Sequence, residues 1–270
     1  MFPYRQALVT GASGGLGRAF ALALVAQGVT VWGTSRDGTR LPEGVRPLAL
    51  DLDNPRSIVD CIVSIRQQAP ELDLLVNNAG NGTFCPFEEF PSDELGGQWR
   101  VLLASPVALC RAFYPMFRER GNGAIVNVAS LAGDYPIPFM SAYSAAKAGL
   151  SAFSRALMIE AEGSGVVVID FQPGDYATGF NNAMRRFVPE EQDKDARPSR
   201  LDRVWRRVEQ HLQAGPPPEH AAKILIKTLK RNRSATVVAG NVWQARLGPL
   251  LARIAPRFMV RDYLKNYYNL

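Results

Sequence analysis

Thr10-Gly11-Ala12-Ser13-Gly14-Gly15-Leu16-Gly17 is the stretch from which the rest of the chain is read. It follows an apolar run, Ala7-Leu8-Val9, and opens a helical pattern over residues 18–27 that Gly28 ends. A strand that turns into a helix through glycines leaves backbone N–H groups and the positive helix end facing outward, which suits a phosphate. Gly11 can take a turn geometry closed to other residues, Gly15 lets a pyrophosphate approach the backbone, and Gly17 lets helix and strand pack closely. A glycine-rich turn by itself is only a turn. The strand and helix signals on either side of it point to nucleotide binding.

Working outward, strand and helix patterns alternate, which predicts an α/β domain with a parallel sheet covered on both faces. Strands are expected at 29–34, 46–50, 72–76, 124–128, 166–171 and 235–239, and helices at about 55–68, 94–120, 142–160 and 219–231. Asp53 reads as the N-cap of the helix that has Pro55 in its first turn, and Pro106 as the bend in the long helix. Residues 81–92 read as a loop. A segment rich in charge and proline, 179–218, breaks the alternation, with helix-like pieces at 182–187 and 200–212. A long insertion beyond a strand's C-terminal end is a natural place for a lid. The expected organisation is therefore one domain over 1–240, including that insertion, and a basic, aromatic tail over 241–270.

Size and composition narrow the classes. A chain of 270 residues with 47% hydrophobic and 21% charged residues can bury a full core. Cys61, Cys85 and Cys110 are scattered without metal-ligand spacing, so no metal is expected, and unpaired thiols suit a reducing compartment. Arg5 and the glycine turn arrive too early for a signal peptide, and no apolar run reaches the roughly 18 residues that span a bilayer. The expected location is cytoplasmic. The net charge of +6 suits anionic ligands in general, and the arginine-rich stretch 197–207 has little beyond charge to suggest nucleic acid, so none is expected as a partner.

The end of the second strand bears on the nucleotide. In dinucleotide folds an acidic residue there binds the ribose hydroxyls, whereas an arginine accommodates a 2′-phosphate. Arg36 stands where that choice is made, and a guanidinium suits a phosphate through paired hydrogen bonds. Asp37 is the competing ribose ligand. NADP is favoured, with NAD as the alternative.

Further along come Asp51-Leu52, then Asn77-Asn78-Ala79-Gly80, then Ser130 at a strand end, then Tyr143-Ser144-Ala145-Ala146-Lys147, and finally Pro173-Gly174 with Thr178. With the glycine turn, and in this order and spacing, they make the chain resemble the short-chain dehydrogenase/reductase family over nearly all of residues 5–240. The resemblance implies a single-domain Rossmann-like doubly wound parallel sheet and an NADP(H)-dependent oxidoreductase acting on a carbonyl or secondary alcohol. It implies Ser130, Tyr143 and Lys147 as catalytic residues. It also implies a cofactor site built from Gly11, Ser13, Gly15, Leu16, Gly17, Arg36, Asp51, Leu52, Asn78, Ala79, Gly80, Tyr143, Lys147, Pro173, Gly174 and Thr178. Asp51 resembles the adenine-contacting aspartate, Asn78 the asparagine that borders the adenosine ribose, and Thr178 the threonine that meets the carboxamide. Family members commonly form homodimers or homotetramers through helices that include the tyrosine helix.

The chemistry agrees with the residue types. A carbonyl reduced by hydride needs a proton for its developing alkoxide. A tyrosine with an unperturbed pKa near 10 exchanges protons poorly at neutral pH, and a cation such as Lys147, four residues on and on the same helix face, is expected to lower it. Ser130 is expected to donate to the substrate oxygen. One departure stands out: Leu102 occupies the position of the family's usual asparagine, which anchors a water linking the lysine to solvent. Leucine cannot hold that water, so the relay is expected to be slower or rerouted, with Ser105 one turn away as a candidate substitute. Leu102 also keeps open a second reading, a nucleotide-binding regulatory or scaffold protein with weak or no catalysis.

For the substrate, Tyr135, Ile137, Pro138, Phe139 and Met140 form an apolar loop before Tyr143. Phe180, Met184, Phe187 and Trp205 read equally as an apolar lid or as core residues that hold the insertion down. The first reading implies a hydrophobic substrate of lipid, steroid or 3-oxoacyl type. The tail, with Arg246, Arg253, Arg257, Arg261 and Lys265 among apolar residues, reads as a helix packed on the domain or on a neighbouring subunit, in preference to a membrane-surface helix.

Overall fold

The computed structural model describes residues 1–179, 184–187, 199–241 and 255–270. Phe180, Arg246 and Arg253 lie outside them, as does the side chain of Arg257. Seven parallel strands form one sheet in the order β3-β2-β1-β4-β6-β7-β9. They are β1 Gln6–Val9, β2 Thr30–Ser35, β3 Val45–Ala49, β4 Leu74–Asn77, β6 Gly123–Val128, β7 Val166–Pro173 and β9 Ala235–Ala239. Strands buried on both faces read as unbroken apolar runs, which is how β4 (Leu-Leu-Val-Asn) and β7 (Val-Val-Val-Ile-Asp-Phe-Gln-Pro) look. The order reverses direction between β1 and β4, and such switch points are where open α/β sheets bind ligands.

Helices cover both faces. One core lies under α1 (Gly15–Val25) and α7 (Pro218–Lys230), with Phe20 edge-on to Phe171. The other lies under α2 (Pro55–Gln68), α4 (Ser105–Arg120) and α5 (Ser141–Glu160), around Ile65, Phe113 and Phe117. The N-cap of α2 is Asn54 rather than Asp53: its Oδ1 accepts from the N–H groups of Arg56 and Ser57. Asp53 instead pairs with Arg100 at 2.7 Å.

The helix expected over 94–120 is interrupted. It begins as α3 (Ser92–Trp99), widens into a π turn at Arg100–Ala104 where the Ser105 N–H reaches the Arg100 carbonyl, and resumes as α4. Pro106 has no N–H to give, so the ladder loosens in the turn before the proline rather than at it.

Two expectations about irregular segments change. The loop over 81–92 holds a short strand, β5 (Gly82–Phe84), and part of the helix-like piece at 182–187 is a strand, β8 (Met184–Arg186). The two pair in parallel, Gly82 with Met184 and Phe84 with Arg186, as a small separate sheet. Beside it, α6 (Arg200–Gln213) starts with a capping box between Ser199 and Asp202. In the tail, α8 (Arg257–Tyr267) packs on α6: the Arg207 Nε donates to the Tyr267 carbonyl, and the His211 and Tyr267 rings lie 4.2 Å apart.

Candidate active site

The C-terminal ends of β1, β4, β6 and β7 open into one cavity of about 1080 Å³. Its wall includes Gly11, Ser13, Gly15 and Leu16 from the glycine turn, Arg36 from the end of β2, Asp51 and Leu52, and Asn78-Ala79-Gly80. At the other end it includes Ser130, Tyr143, Lys147, Pro173 and Thr178.

The turn is shaped for a close backbone approach. Gly11 and Gly15 have φ of +67° and +51°, a region that favours glycine. A Cβ on Gly11 would stand 2.9 Å from Ala79 Cα, whereas one on Gly14 would meet nothing. The turn is tied to the neighbouring strand because Asn78 Nδ2 donates to the Thr10 carbonyl at 2.9 Å and the Thr10 Oγ1 accepts from the N–H groups of Asn78 and Ala79. Two expected cofactor residues do not face the cavity. Gly17 is packed where any Cβ would collide with the Gly11 carbonyl and the Asn78 amide, and Gly174 gives its N–H to the Ala239 carbonyl at 2.7 Å. Both shape the wall from behind it.

Arg36 and Asp37 part ways. Arg36 is exposed and lines the cavity. Asp37 does not line it. Its Oδ1 accepts from the Ser35 hydroxyl at 3.1 Å and the Thr39 N–H at 2.9 Å, and the Thr39 hydrogen bonds hold its carboxyl low, at about 2.

At the other end, α5 brings Tyr143 and Lys147 to the cavity one turn apart. Two buried polar links latch this helix to the sheet. Asn77 Nδ2 donates to Asn127 Oδ1 at 2.8 Å, and Asn127 Nδ2 donates to Ser154 Oγ at 2.9 Å. Ser151 Oγ donates to the buried Asp170 at 2.6 Å, and Gln172 donates to both. Of these only Asn77 belongs to a motif visible in the sequence. Asp170 had a signal, an acid inside an otherwise apolar strand, and Ser151 and Ser154 had one in their helical spacing.

Ser130 caps a single 3₁₀ turn, Leu131–Gly133, by accepting the Ala132 N–H at 3.1 Å, and this sets its hydroxyl toward Tyr143. Burial pushes the Tyr143 phenol up to about 12, against a hydrogen bond with Ser130 that lowers it, and the Asp175 charge raises it further. Lys147 Nζ lies 5.9 Å from the Tyr143 ring centre and donates to the Val128 carbonyl at 2.7 Å. Burial lowers its ammonium to about 8. The expected lowering of the tyrosine by the lysine is therefore not what this arrangement gives: desolvation dominates and raises the phenol.

Leu102 is fully buried in the π turn, and a Cβ on Gly80 would sit 3.0 Å from Leu102 Cδ2 and 3.9 Å from Lys147 Nζ. Its apolar side chain thus flanks the lysine. Ser105 does not stand in for the missing amide, because its hydroxyl is buried and spent on the Leu52 carbonyl at 2.7 Å.

Beyond Tyr143 the wall turns apolar, with Ile137, Met140, Met184, Val208 and Leu212. Phe139, at φ +64°, is held by the Phe84 ring 5.6 Å away and by the Cys85 N–H on its carbonyl. Met184 thus serves as cavity wall, while Trp205 is a packing residue, 5.1 Å from the Phe84 ring and under the Arg186 guanidinium. Phe187 gives its N–H to the Phe84 carbonyl. Asp175, which the sequence reading passed over, also lines the cavity. No group of three or more metal-ligating side chains occurs among the described residues, and no helix among them is long and apolar enough to cross a membrane.

Comparison with known proteins follows the same lines. Residues 5–188 match the family described as short chain dehydrogenase. The 3-ketodihydrosphingosine reductase of Bacteroides thetaiotaomicron is 30% identical over 90% of this chain and 88% of its own length. The ketoacyl reductase HetN of a Nostoc species is 34% identical over 96% of this chain and 88% of its own. Among solved structures, a short-chain dehydrogenase from Streptomyces avermitilis superposes with a TM-score of 0.80 at 30% identity, over 97% of this chain and 96% of that one.

Proposed function

The chain belongs to the short-chain dehydrogenase/reductase family, and from that premise we propose an NADP(H)-dependent oxidoreductase that interconverts a hydrophobic ketone and its secondary alcohol. The observation that carries this reading is a single cavity lined at one end by the glycine turn and Arg36 and at the other by Ser130, Tyr143 and Lys147. Its lining fits a dinucleotide: open backbone at Gly14, a closely approached Gly11, positive φ at Gly11 and Gly15, and a guanidinium beside the second strand. Gly11, Ser13, Gly15 and Leu16 would hold the pyrophosphate, Asp51, Leu52 and Asn78 the adenosine, and Lys147, Pro173 and Thr178 the nicotinamide end. Arg36 supports NADP over NAD, since Asp37 is committed to its own turn.

When bound, the reduced nicotinamide supplies hydride to the carbonyl carbon. Ser130 donates to the carbonyl oxygen as charge builds there, and Tyr143, which keeps its proton at neutral pH, delivers it to that oxygen. Lys147 would stabilise the phenolate left behind and hold the nicotinamide ribose. The buried Leu102 side chain contributes no water anchor. The apolar wall from Ile137 to Leu212 supports a hydrophobic substrate, and both reductases above are named for keto substrates.

Three free buried cysteines suit the cytoplasm, and exposed Trp99 and Ile159 beside or on α5 suit a homodimer or homotetramer through that face. Paired fluorescence titrations with NADPH and NADH, followed by an NADPH-coupled assay on long-chain ketones, test the proposal. Tighter NADPH and Tyr143-dependent turnover are expected. Binding without turnover would favour a nucleotide-binding regulator, and no binding would end both readings.

A further inference from the structure

We propose that the carboxamide of Gln98 is a positioning group for proton supply: it holds, beside Lys147, the water through which Tyr143 is recharged after each turnover. This deepens the reading above and rests on it.

Gln98 is a polar side chain kept where an apolar one would pack as well. It lies on α3 at 2% exposure, and both its Nε2 and its Oε1 are buried with no hydrogen-bond partner among the described residues. Leaving both ends of an amide unpaired is costly away from water, so packing alone gives no reason for a glutamine here. The side chain lines the cavity, and its partners are therefore to be sought there. Asn81, directly after Gly80, also lines the cavity, and its buried Oδ1 is likewise unpaired among the described residues.

Three relationships put this amide beside Tyr143 and Lys147. Trp99, the next residue, donates its Nε1 to the Ala142 carbonyl at 3.1 Å, which ties this turn of α3 to the residue before Tyr143. Leu102 stands one turn further on and on the same face, and a helical side chain leans back over the preceding turn, here the turn that carries Gln98. The tip of Leu102 and Lys147 Nζ both lie at Gly80, 3.0 and 3.9 Å from where its Cβ would stand. Gln98, Asn81 and Lys147 thus border the same corner of the cavity.

The chemistry creates a demand at that corner. In reduction the carbonyl carbon gains the hydride of the reduced nicotinamide, the C=O π pair moves onto oxygen, and that oxygen takes the Tyr143 proton. The phenolate must regain a proton before the next cycle, yet Tyr143 and Lys147 are only 9% and 5% exposed. Lys147, whose ammonium burial lowers to about 8, can lend a proton near neutral pH and take one back. One of its three N–H groups is spent on the Val128 carbonyl. A water at the corner would accept from another and donate to Gln98 Oε1 and Asn81 Oδ1, which gives it the partners a buried water needs. An amide both donates and accepts, so Gln98 can hold that water before and after it passes a proton to Lys147. Each turnover then draws one proton from solvent.

Gln98→Leu tests this, with Gln98→Met as a second variant should the first fail to fold, on the ketone that the NADPH-coupled assay shows to react fastest. Both should melt no lower than the native chain, because an apolar side chain removes two unpaired atoms. Their kcat is expected to fall by roughly ten- to hundredfold, with KM and NADPH affinity within about twofold of native. The solvent deuterium isotope effect on kcat should rise, and added imidazole, a small proton carrier, should restore the variants far more than the native chain. Adding Leu102→Asn to Gln98→Leu returns an amide one turn away and should recover kcat. A higher KM at unchanged kcat would make Gln98 a substrate contact, and weaker NADPH binding alone a cofactor contact; either overturns the proposal. An unchanged isotope effect without imidazole rescue overturns it as well. Tyr143-dependent turnover indifferent to Gln98 would sink this inference alone, whereas no turnover of any ketone by the native chain would sink it together with the oxidoreductase reading.

Discussion

Lys147 Nζ donates to the carbonyl of Val128 at 2.7 Å, which fastens the middle of the Tyr143 helix to the end of β6, two residues before Ser130. The relative positions of Ser130, Tyr143 and Lys147 thus depend on one strand end and one helix turn, with the Asn127–Ser154 bond fixing the same pair of elements deeper in the core. A short lever of this kind tolerates little displacement, and positioning at this scale is worth a large part of a catalytic barrier.

Tyr143→Phe removes the proposed proton donor and little else, since the ring stays in its buried place. Turnover is expected to fall by about a thousandfold or more, while the NADPH dissociation constant changes by less than about threefold. Stopped-flow reduction beside equilibrium titration separates the two. A variant with near-native turnover would show that another group delivers the proton.

Lys147→Met should kill turnover and yet stabilise the cofactor-free protein at neutral pH. The lysine's folded value of about 8 lies below its ordinary 10.5, so the unfolded chain binds more protons between those values. Stability then rises with pH through that window, and the cost of the buried ammonium is fully present below about pH 8. Against it stands the lost bond to Val128, about 1 kcal/mol. Urea unfolding is expected to show the variant more stable by about 2 kcal/mol at pH 7, with the difference shrinking toward zero by about pH 10.

Arg36→Ala should weaken NADPH by roughly ten- to hundredfold, the worth of charge-assisted hydrogen bonds to a phosphate, and leave NADH within about twofold. Asp37→Ala should leave both nucleotides nearly unchanged, because that carboxylate is occupied with Ser35 and Thr39. Loss of NADH affinity in Asp37→Ala would instead show the acid reaching the ribose.

Two glycines three residues apart should fail in different ways. A Cβ on Gly17 runs into the Gly11 carbonyl and the Asn78 amide, so Gly17→Ala is expected to lose about 2 kcal/mol or more of stability. Gly14 has extended backbone and open space, so Gly14→Ala should melt like the native chain while a methyl group in the cavity weakens nucleotide binding. Thermal melts with and without NADPH distinguish the two.

Much of this was legible in the chain. The sheet and its covering helices follow from apolar runs alternating with 3.6-residue periodicity, and the glycine turn, the Asn78 loop, Ser130, Tyr143 and Lys147 meet where the strands' common direction sends them. What escaped depends on tertiary setting. Asp53 and Asn54 are equally good caps by type, and only the path of the chain chooses between them. The site of the break near Pro106 is decided by which hydrogen bond is missing, not by where the ring stands. The ordering of Tyr143 and Lys147 acidities turns on burial, which no spacing reports. Strands of three residues such as β5 and β8 carry too little periodicity to be seen, since each is defined by a partner about a hundred residues away.

That small ladder has a consequence for how such a chain can diversify. β8 carries Met184 and Arg185 into the cavity wall, β5 carries Phe84 beneath it, and Arg185 is tied to Glu94 of α3 while Arg186 is tied to Asp202 of α6. Changing one strand alone leaves its mate without a register. The two segments must therefore be inherited as a set, and a chimera that exchanges substrate preference with a relative should need both strands and both acids grafted together, while the glycine turn and the Tyr143 helix remain untouched.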